Sequence, residues 1–350
     1  MNRVFLFLIF GAVILFAETE KPFQRFTALP ILGYSEETKI QFGGMLLLFF
    51  RPPAENVPAS SLDFAVYGSQ NRQWQVLFSP DLYLLSGRIH ADIEFLYWNW
   101  VAHFFGIGNS PSWSDYSTYD MIRYSLEIPV ETDLGIPPAL RFLRYGLILH
   151  SEKNTTTFRS GHEELRPERQ SGLRLGAGYQ MILDTRNHLL FPEKGFYAYW
   201  KQVFYGGKYR FYRQTLDLRA YAPLFWDITL ALGFLWERST DNAPFDMLAF
   251  PDGIKRFRGI ERGFFRDSQQ EILQAELRKH LFWRISGTIF YEAARVGPYF
   301  SAMNRNDLHH SVGIGGRLAL NRSQKLNARG DISWIDGKHL GLSVYIREAF

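Results

Sequence analysis

Side chains that could support acid–base or metal chemistry are few and widely spaced in this sequence. Of the nine histidines, the candidates are His150, His162 in the segment 162–164 (His-Glu-Glu), and the adjacent pair His309 and His310. The adjacent pair points to opposite faces of a predicted strand, which makes a poor metal site. No nucleophile, base and orienting group share a face at an activating spacing. We therefore predict no catalytic residues, no metal site, no cofactor and no enzymatic activity.

The overall charge and the absence of cysteine exclude further classes of chemistry. The chain contains no cysteine, so disulfides and thiolate chemistry are excluded. A formal net charge of +4 arises from 39 basic and 35 acidic residues, which are spread singly along the chain. Because a dispersed excess forms no basic patch, no nucleic-acid partner is expected.

Charged residues instead alternate with apolar ones, as in the segment 273–281, where Leu273, Ala275 and Leu277 alternate with Glu276 and Arg278. A period of two predicts β-strands whose successive side chains point to opposite faces. The strands run about ten residues, roughly the length that crosses a bilayer when tilted. An apolar outer face and a charged inner face are typical of a membrane barrel. The predicted fold class is therefore an all-β, transmembrane antiparallel β-barrel.

The inward positions carry both signs of charge. This composition indicates a cross-strand network of ion pairs that braces a wet interior. The inward residues are Arg88, Arg123, Arg174, Arg213, Arg219 and Arg317, against Asp92, Glu94, Glu127, Asp217 and Asp331.

The pattern contains sixteen candidate strands, an even number that fits single-chain outer-membrane barrels. Connections after odd strands include the long segments 100–116, 152–170, 240–269 and 297–308, whereas most after even strands are tight. Long loops outside and short periplasmic turns are the expected asymmetry. The predicted strands are 24–34, 39–51, 62–71, 73–84, 87–99, 117–133, 140–151, 171–185, 195–206, 209–224, 227–239, 270–281, 283–296, 309–321, 325–335 and 339–350.

The first residues resemble a secretory signal rather than a strand. Asn2 and Arg3 precede an apolar run at 4–16, and Ala17 offers a cleavage site. The run is shorter than the ~20 residues of a spanning helix, which disfavours the alternative of an uncleaved anchor. We predict a signal peptide at 1–17 and one barrel domain at 18–350.

Four local sequences together resemble the BamA/TamA family of outer-membrane proteins, the bacterial surface antigens. They are FFGIGN at 104–109, DTRN at 184–187 with FPEKG at 191–195, PDG at 251–253 with FRGI at 257–260, and the final segment 341–350. Each is weak alone, but all four stand in family order. The resemblance covers the whole mature chain as the family's barrel domain, without its periplasmic POTRA domains.

The resemblance implies a sixteen-stranded barrel whose long sixth outer loop folds into the lumen. The loop sequence would be Phe257, Arg258, Gly259 and Ile260, with Ile260 where the family usually has an aromatic residue. In the family, the arginine packs against acidic side chains on the inner wall, and the first and last strands form a weakly paired seam.

The inner-wall partners of Arg258 follow from strand parity without the resemblance. Glu292 and Glu276 fall on the inward parity of the two strands after the loop. A guanidinium in a partly dehydrated lumen needs a carboxylate partner, so we expect an Arg258–Glu292 contact with Glu276 nearby. The alternative is an ordinary exposed loop arginine.

The last predicted strand resembles the signal that the barrel-assembly machinery reads in outer-membrane proteins. Its candidate residues are Gly341, Val344, Ile346 and Phe350, with the aromatic residue at the end. Recognition would occur by strand addition to an exposed edge.

Three functions are compatible with this sequence. The first, which the resemblance implies, is outer-membrane assembly or translocation of protein or lipid. The second is a passive pore gated by the sixth loop, and the third is a surface barrel that binds partners through its outer loops. Expected partners are outer-membrane lipid, the assembly machinery during biogenesis, and a separate periplasmic docking protein in place of POTRA domains. The expected location is the bacterial outer membrane.

Overall fold

A computed structural model describes residues 25–350 except 36–38, 51–56, 58, 163–170, 241, 304–306, 322–324 and 347. The predicted signal peptide at 1–17, and Glu163 and Glu164 of the histidine-containing segment, lie outside the described residues. No helix within the described ranges is long and apolar enough to cross a membrane.

Within the described ranges, seventeen β-strands form a single sheet, in which neighbouring strands are antiparallel. The all-β class predicted from the sequence is confirmed. The strands are β1 (Phe26–Ser35), β2 (Lys39–Phe49), β3 (Ser61–Ser69), β4 (Trp74–Leu84), β5 (Ile89–Asp92), β6 (Glu94–Phe104), β7 (Ser117–Thr132), β8 (Leu143–Ser160), β9 (Gly172–Asp184), β10 (Gly195–Gly207), β11 (Phe211–Pro223), β12 (Ile228–Ser239), β13 (Gln269–Phe282), β14 (Ile285–Gly297), β15 (His309–Asn321), β16 (Leu326–Ile335) and β17 (His339–Ile346).

The segment predicted as one strand at 87–99 is divided into β5 and β6, which lie in line between β4 and β7. The break falls at Ile93, between Pro80 on β4 and Pro129 on β7. Proline has no backbone N–H, so β4 and β7 each lack one donor to the strand between them near Ile93. The register on either side of the break is unchanged.

The sheet curls until its first and last strands meet. Register pairs join every consecutive position from β1 to β17, and β1 also lies against β17. Among the strand residues that the structure describes, no register pairs join β1 to β17. Among the described residues, the contact between β1 and β17 is less extensive than that between other neighbouring strands.

The two faces of the wall have the composition expected for a membrane barrel. On β8, Leu147 and Leu149 are exposed on the outer face, whereas Ile148 and His150 between and after them are buried. A strand of ten residues rises ~3.3 Å per residue and, tilted by ~40°, spans about 25 Å, the height of the apolar band of such barrels. The exposed apolar positions therefore face lipid, and the buried positions between them face the lumen.

The final strand ends earlier than predicted. β17 stops at Ile346, and the predicted extension of this strand to Phe350 is wrong. In a continued strand, Glu348 would share the outward parity of Leu342 and Val344 and would face lipid, at a high cost in desolvation. The chain instead turns inward, and Glu348 and Phe350 are buried.

Candidate functional site: the loop inside the barrel

The segment between β12 and β13, called here the lumen loop (residues 240–268), lies inside the closed sheet. Phe245 packs on aromatic side chains of β6 and β7, Met247 on β8 and β10, and Phe257 on β12, β13 and β14. One loop can contact inward side chains of so many strands only from within the lumen. Its burial therefore depends on the barrel wall.

Local backbone chemistry shapes the part of the lumen loop that presents Arg258. The Asp252 side-chain oxygen accepts hydrogen bonds from the backbone N–H groups of Ile254, Lys255 and Arg256, at 2.8, 2.6 and 2.9 Å. This is the ordinary use of aspartate in turns. Gly253 has a φ of +72°, and a Cβ there would overlap the carbonyl oxygen of Ile260. The PDG sequence thus forms a tight turn that directs the following residues towards the wall.

Arg258 is fully buried and is held by carboxylates from two strands. Its Nε lies 2.8 Å from Glu292 Oε1 on β14, and its Nη1 lies 2.6 Å from Glu276 Oε2 on β13. The guanidinium also lies over the ring of Phe290, 3.5 Å from its centroid. This contact joins Arg258 to both of the expected carboxylates and to the barrel wall.

The same carboxylates belong to a larger buried network at the β13–β16 wall. Arg317 Nη1 lies 2.6 Å from Asp331 Oδ1, and Asp331 Oδ2 lies 3.7 Å from Arg258 Nη1. Arg329 donates to the Ile254 carbonyl oxygen of the lumen loop at 2.6 Å. Breaking a buried ion pair costs ~3–5 kcal/mol because the remaining charge is left uncompensated. The loop is therefore strongly fixed at this point.

Gly259 brings the lumen loop into backbone contact with the last two strands. A Cβ at Gly259 would lie 2.9 Å from the Cβ of Ser333 on β16 and 3.0 Å from the Cα of Gly341 on β17. A Cβ at Gly341 would in turn overlap the Gly259 carbonyl oxygen. Two glycines facing each other permit this approach, so the loop packs directly on the strand that closes the barrel.

Asp246 anchors the other end of the lumen loop to the opposite wall. Its Oδ2 accepts hydrogen bonds from Arg123 at 2.9 Å, Asn154 at 2.8 Å and Arg174 at 2.8 Å. Burial disfavours the charged carboxylate, but Arg123 and Arg174 outweigh it and hold the pKa of Asp246 below its ordinary value. The loop is therefore tied to β7, β8 and β9 as well as to β13 and β14.

Aromatic side chains join the lumen loop to the connection after β6. Phe105 and Trp113 pack on Phe264, with ring centroids 4.9 and 3.8 Å apart. Gly108 and Arg266 form an isolated β-bridge. The FFGIGN sequence thus covers the loop at one end of the barrel.

A polar cavity of about 240 Å³ remains beside the lumen loop on the β7–β12 side. His150 on its wall contacts Ser125 Oγ at 2.9 Å and Tyr205 OH at 2.8 Å through its two ring nitrogens. No cluster of three or more potential metal ligands occurs in the described ranges. The charged lining residues are Arg123, Glu127, Glu152, Lys201, Arg213, Glu237, Asp246 and Arg262.

The other predicted site residues are distributed over three places. Phe257 and Ile260 are buried in one apolar cluster with Phe264. Val344 is exposed on the outer face of β17, and Ile346 pairs with Ala328 in the β16–β17 ladder. Phe350 lies apart from both, against Tyr221 and Ala231 inside the lumen.

The sequence pattern did not predict that Asp246 and Arg256 of the lumen loop contact the barrel wall. Arg256 Nη2 lies 2.6 Å from Asp217 Oδ2 on β11. A usable signal was present, because the segment 245–251 (FDMLAFP) is mostly apolar and exposed loops seldom are. An apolar loop with one acid predicts burial and an internal partner for that acid.

A closed antiparallel sheet with lipid-facing apolar side chains and an ionic lumen defines a β-barrel of the outer membrane. The chain belongs to the Omp85 superfamily, whose domain matches residues 99–322. The predicted resemblance and the outer-membrane location are confirmed at this level. Comparison with curated protein sequences gives no match.

Solved structures of two barrels are similar to this chain. The structure of BamA from Haemophilus ducreyi lacking POTRA domains 1-3 is 12% identical with a TM-score of 0.61, covering 92% of this chain and 69% of that one. CdiB from Acinetobacter baumannii is 11% identical with a TM-score of 0.61, covering 93% of this chain and 60% of that one. At these identities the likeness concerns the fold.

Proposed function

We propose that this barrel takes part in outer-membrane assembly or in translocation of protein or lipid, and that substrate engages the junction of β1 and β17. The observation that carries this proposal is the contact of the lumen loop with β17 at Gly259 and Gly341, next to the place where β17 meets β1. If β1 and β17 separate, the strand edges that they expose can template an incoming strand. Membership in the Omp85 superfamily supports the same class of role.

If β1 and β17 separated, the lumen loop would stay bound to the barrel wall. The loop is tied to β13, β14 and β16 through Arg258, Asp331 and Arg329. On the other side of the junction, β1 is paired to β2 over its whole length. Among the described residues, the contact between β1 and β17 is less extensive than that between other neighbouring strands, so the wall would separate most easily at this junction.

The cysteine-free chain allows a direct test by a disulfide across the junction. Ala28→Cys on β1 would be combined in turn with Leu340→Cys, Leu342→Cys and Val344→Cys, the outward positions of β17. In cells with the locked chain as the sole copy, we expect loss of outer-membrane protein or surface lipid, restored by a reductant. Unchanged levels of both would contradict the proposal.

A matched control uses the regular pairing on the other side of β1. Ala28 and Leu46 are register partners, so Ala28→Cys with Leu46→Cys forms a bond within an intact ladder. We expect this bond to leave function unchanged, since β1 and β2 stay paired in both states.

Partners and processing are part of the same proposal. We infer a separate periplasmic protein that presents substrate, and recognition of the final segment by the assembly machinery before the barrel folds. Residues 1–17 would be removed on export, leaving 18–350 as the barrel, which N-terminal sequencing of the mature protein would test. We assign no catalytic step to this chain.

A loop-gated pore is a second candidate function, favoured by the polar cavity beside the lumen loop. Side chains of both signs line it, as in a water-filled passage. Single-channel recording of the refolded barrel would test it, comparing the intact chain with a variant lacking 242–266. Stable conductance that rises in the deletion variant supports a plugged pore, and equal conductance counts against it.

A further inference from the structure

The connection between β9 and β10 (residues 185–194) extends across one end of the barrel. The Pro192 carbonyl oxygen accepts a hydrogen bond from Arg278 Nη1 on β13 at 3.4 Å, and the Phe191 ring lies 5.4 Å from the Arg278 guanidinium. Glu193 lies 3.0 Å from Lys325, in the connection between β15 and β16. These contacts are several strands away from β10, so the connection lies over the mouth of the lumen.

The segment after β17 reaches the same arginine from the opposite direction. Arg278 Nη2 donates to the Phe350 carbonyl oxygen at 3.0 Å, and its guanidinium lies 5.5 Å from the Phe350 ring. The ring packs on Tyr221 and Ala231, over Gly233, where a Cβ would lie 3.1 Å from it. Residues 348–350 therefore cross from β17 to β11 and β12.

Two charged contacts fix this tail and the arginine that it meets. Glu348 lies 2.8 Å from Arg317 Nε and accepts a hydrogen bond from Asn327 at 3.1 Å. Arg278 Nε lies 2.6 Å from Glu276 Oε1, the carboxylate that also binds Arg258. Arg278 is only 2% exposed although the next two residues of its strand are exposed. Two chain segments thus bury a guanidinium at a strand end.

We propose that residues 185–194 and 348–350 form a strap that closes this mouth of the barrel, with Arg278 as the latch that holds both segments. The strap is a releasable element, because each segment is held there by a few side-chain contacts and not by a strand ladder, and Arg278 is the side chain that both segments share. Its release would open the lumen at this end and free the end of β17. The proposal concerns access to the lumen and holds for any cargo, so failure of the transport test would leave it standing.

The strap also has a physical link to the lumen loop. Glu276 binds Arg278 of the strap contact and Arg258 of the lumen loop through its two oxygens. Movement of either element changes the partners of a buried carboxylate, which is costly. Release of the strap is therefore coupled to the position of the loop.

Thiol labelling in the cysteine-free barrel tests the strap. Single reporters Ala349→Cys and Pro192→Cys would be refolded in lipid vesicles and exposed to a charged maleimide. In the otherwise unchanged chain we expect both to react at least about tenfold more slowly than Leu189→Cys, an exposed position of the same connection. Equal rates at the three positions would overturn the proposal.

Arg278→Gln tests the latch, with Arg284→Gln as the matched control. Arg284 lies at the same end of the barrel and donates to the Ala319 carbonyl oxygen at 3.1 Å. We expect Arg278→Gln to accelerate labelling of both reporters at least tenfold and Arg284→Gln to leave both rates unchanged. No acceleration, or equal acceleration by both variants, would overturn the proposal.

Phe350→Ala provides a second variant if Arg278→Gln does not fold, as judged by the heat-dependent gel mobility of the barrel. Loss of the ring removes its packing on Tyr221 and Ala231, so the reporter at 349 should react faster. Phe282→Ala, an exposed aromatic residue at the same end, is the control for loss of ring area. Identical labelling in both variants would contradict the strap.

Discussion

Buried charges in this lumen fix the position of the loop, because each one destabilises the folded state when its partner is missing. Arg258 meets Glu276 and Glu292 from two strands, and Asp246 meets Arg123 and Arg174 from two others. Well-packed apolar side chains could give similar stability without any charge. What the charges add is a single position for the loop, since a shifted loop would leave several of them unpaired.

Gly259→Ala should release the lumen loop from β16 and β17. The new Cβ would meet Ser333 and Gly341, and φ of +88° disfavours any side chain. We expect a lower unfolding midpoint in urea and faster proteolysis of the segment 240–268. The control is Gly337→Ala, which has a φ of +66° but no neighbouring heavy atom within 4 Å. Equal effects of the two substitutions would show that backbone strain, and not the loop contact, matters.

Acid should loosen the Asp246 anchor. The pKa of this carboxyl is lower in the folded protein than in the unfolded chain, so its stabilisation is present above the ordinary pKa and is lost as pH falls through the folded value. Proteolysis of the loop should therefore rise below about pH 4, the ordinary range of aspartate. Asp246→Asn should be sensitive at neutral pH already, and an unchanged profile in that variant would exclude the anchor.

At the scale of strands, sequence parity predicted most of the wall because lipid and lumen impose opposite demands on successive side chains. Parity also placed Glu276 and Glu292 on the inner face. It did not predict the break at Ile93, which depends on prolines in two neighbouring strands. It also extended β17 too far, because alternation continues to Phe350 although the outward parity would place Glu348 in lipid.

Charge on the outer face of β8 should cost stability in proportion to its depth. Leu147 is 71% exposed on the lipid face, and arginine near the bilayer midplane costs ~2–4 kcal/mol in barrels of this kind. We expect Leu147→Arg to lower the free energy of unfolding in vesicles by that amount. Leu140→Arg, in the connection before β8, should be nearly neutral, and equal losses at both positions would contradict the assigned outer face.

At the scale of the whole molecule, β17 connects three elements. It contacts the lumen loop, it leads into the strap, and it meets β1 at the junction. The loop packs on β17 through Gly341, and the strap holds the end of β17 through Glu348 and Phe350. The sequence could not reveal this arrangement. Contacts across a lumen join residues that are far apart in the chain, and no strand periodicity relates them. The resemblance indicated the loop, but the tail and the Asp246 anchor required three-dimensional placement.

Arg258 fixes the lumen loop inside the barrel, and a double-mutant cycle measures this contact. Unfolding free energies in urea would be measured for the parent chain, Arg258→Met, Glu292→Met and the double variant. We predict a coupling of at least about 2 kcal/mol, since each single variant leaves a buried charge unpaired. The pair Arg258→Met with Glu94→Met, on another part of the wall, should be additive. Additivity for Arg258 and Glu292 as well would show that this contact does not fix the loop.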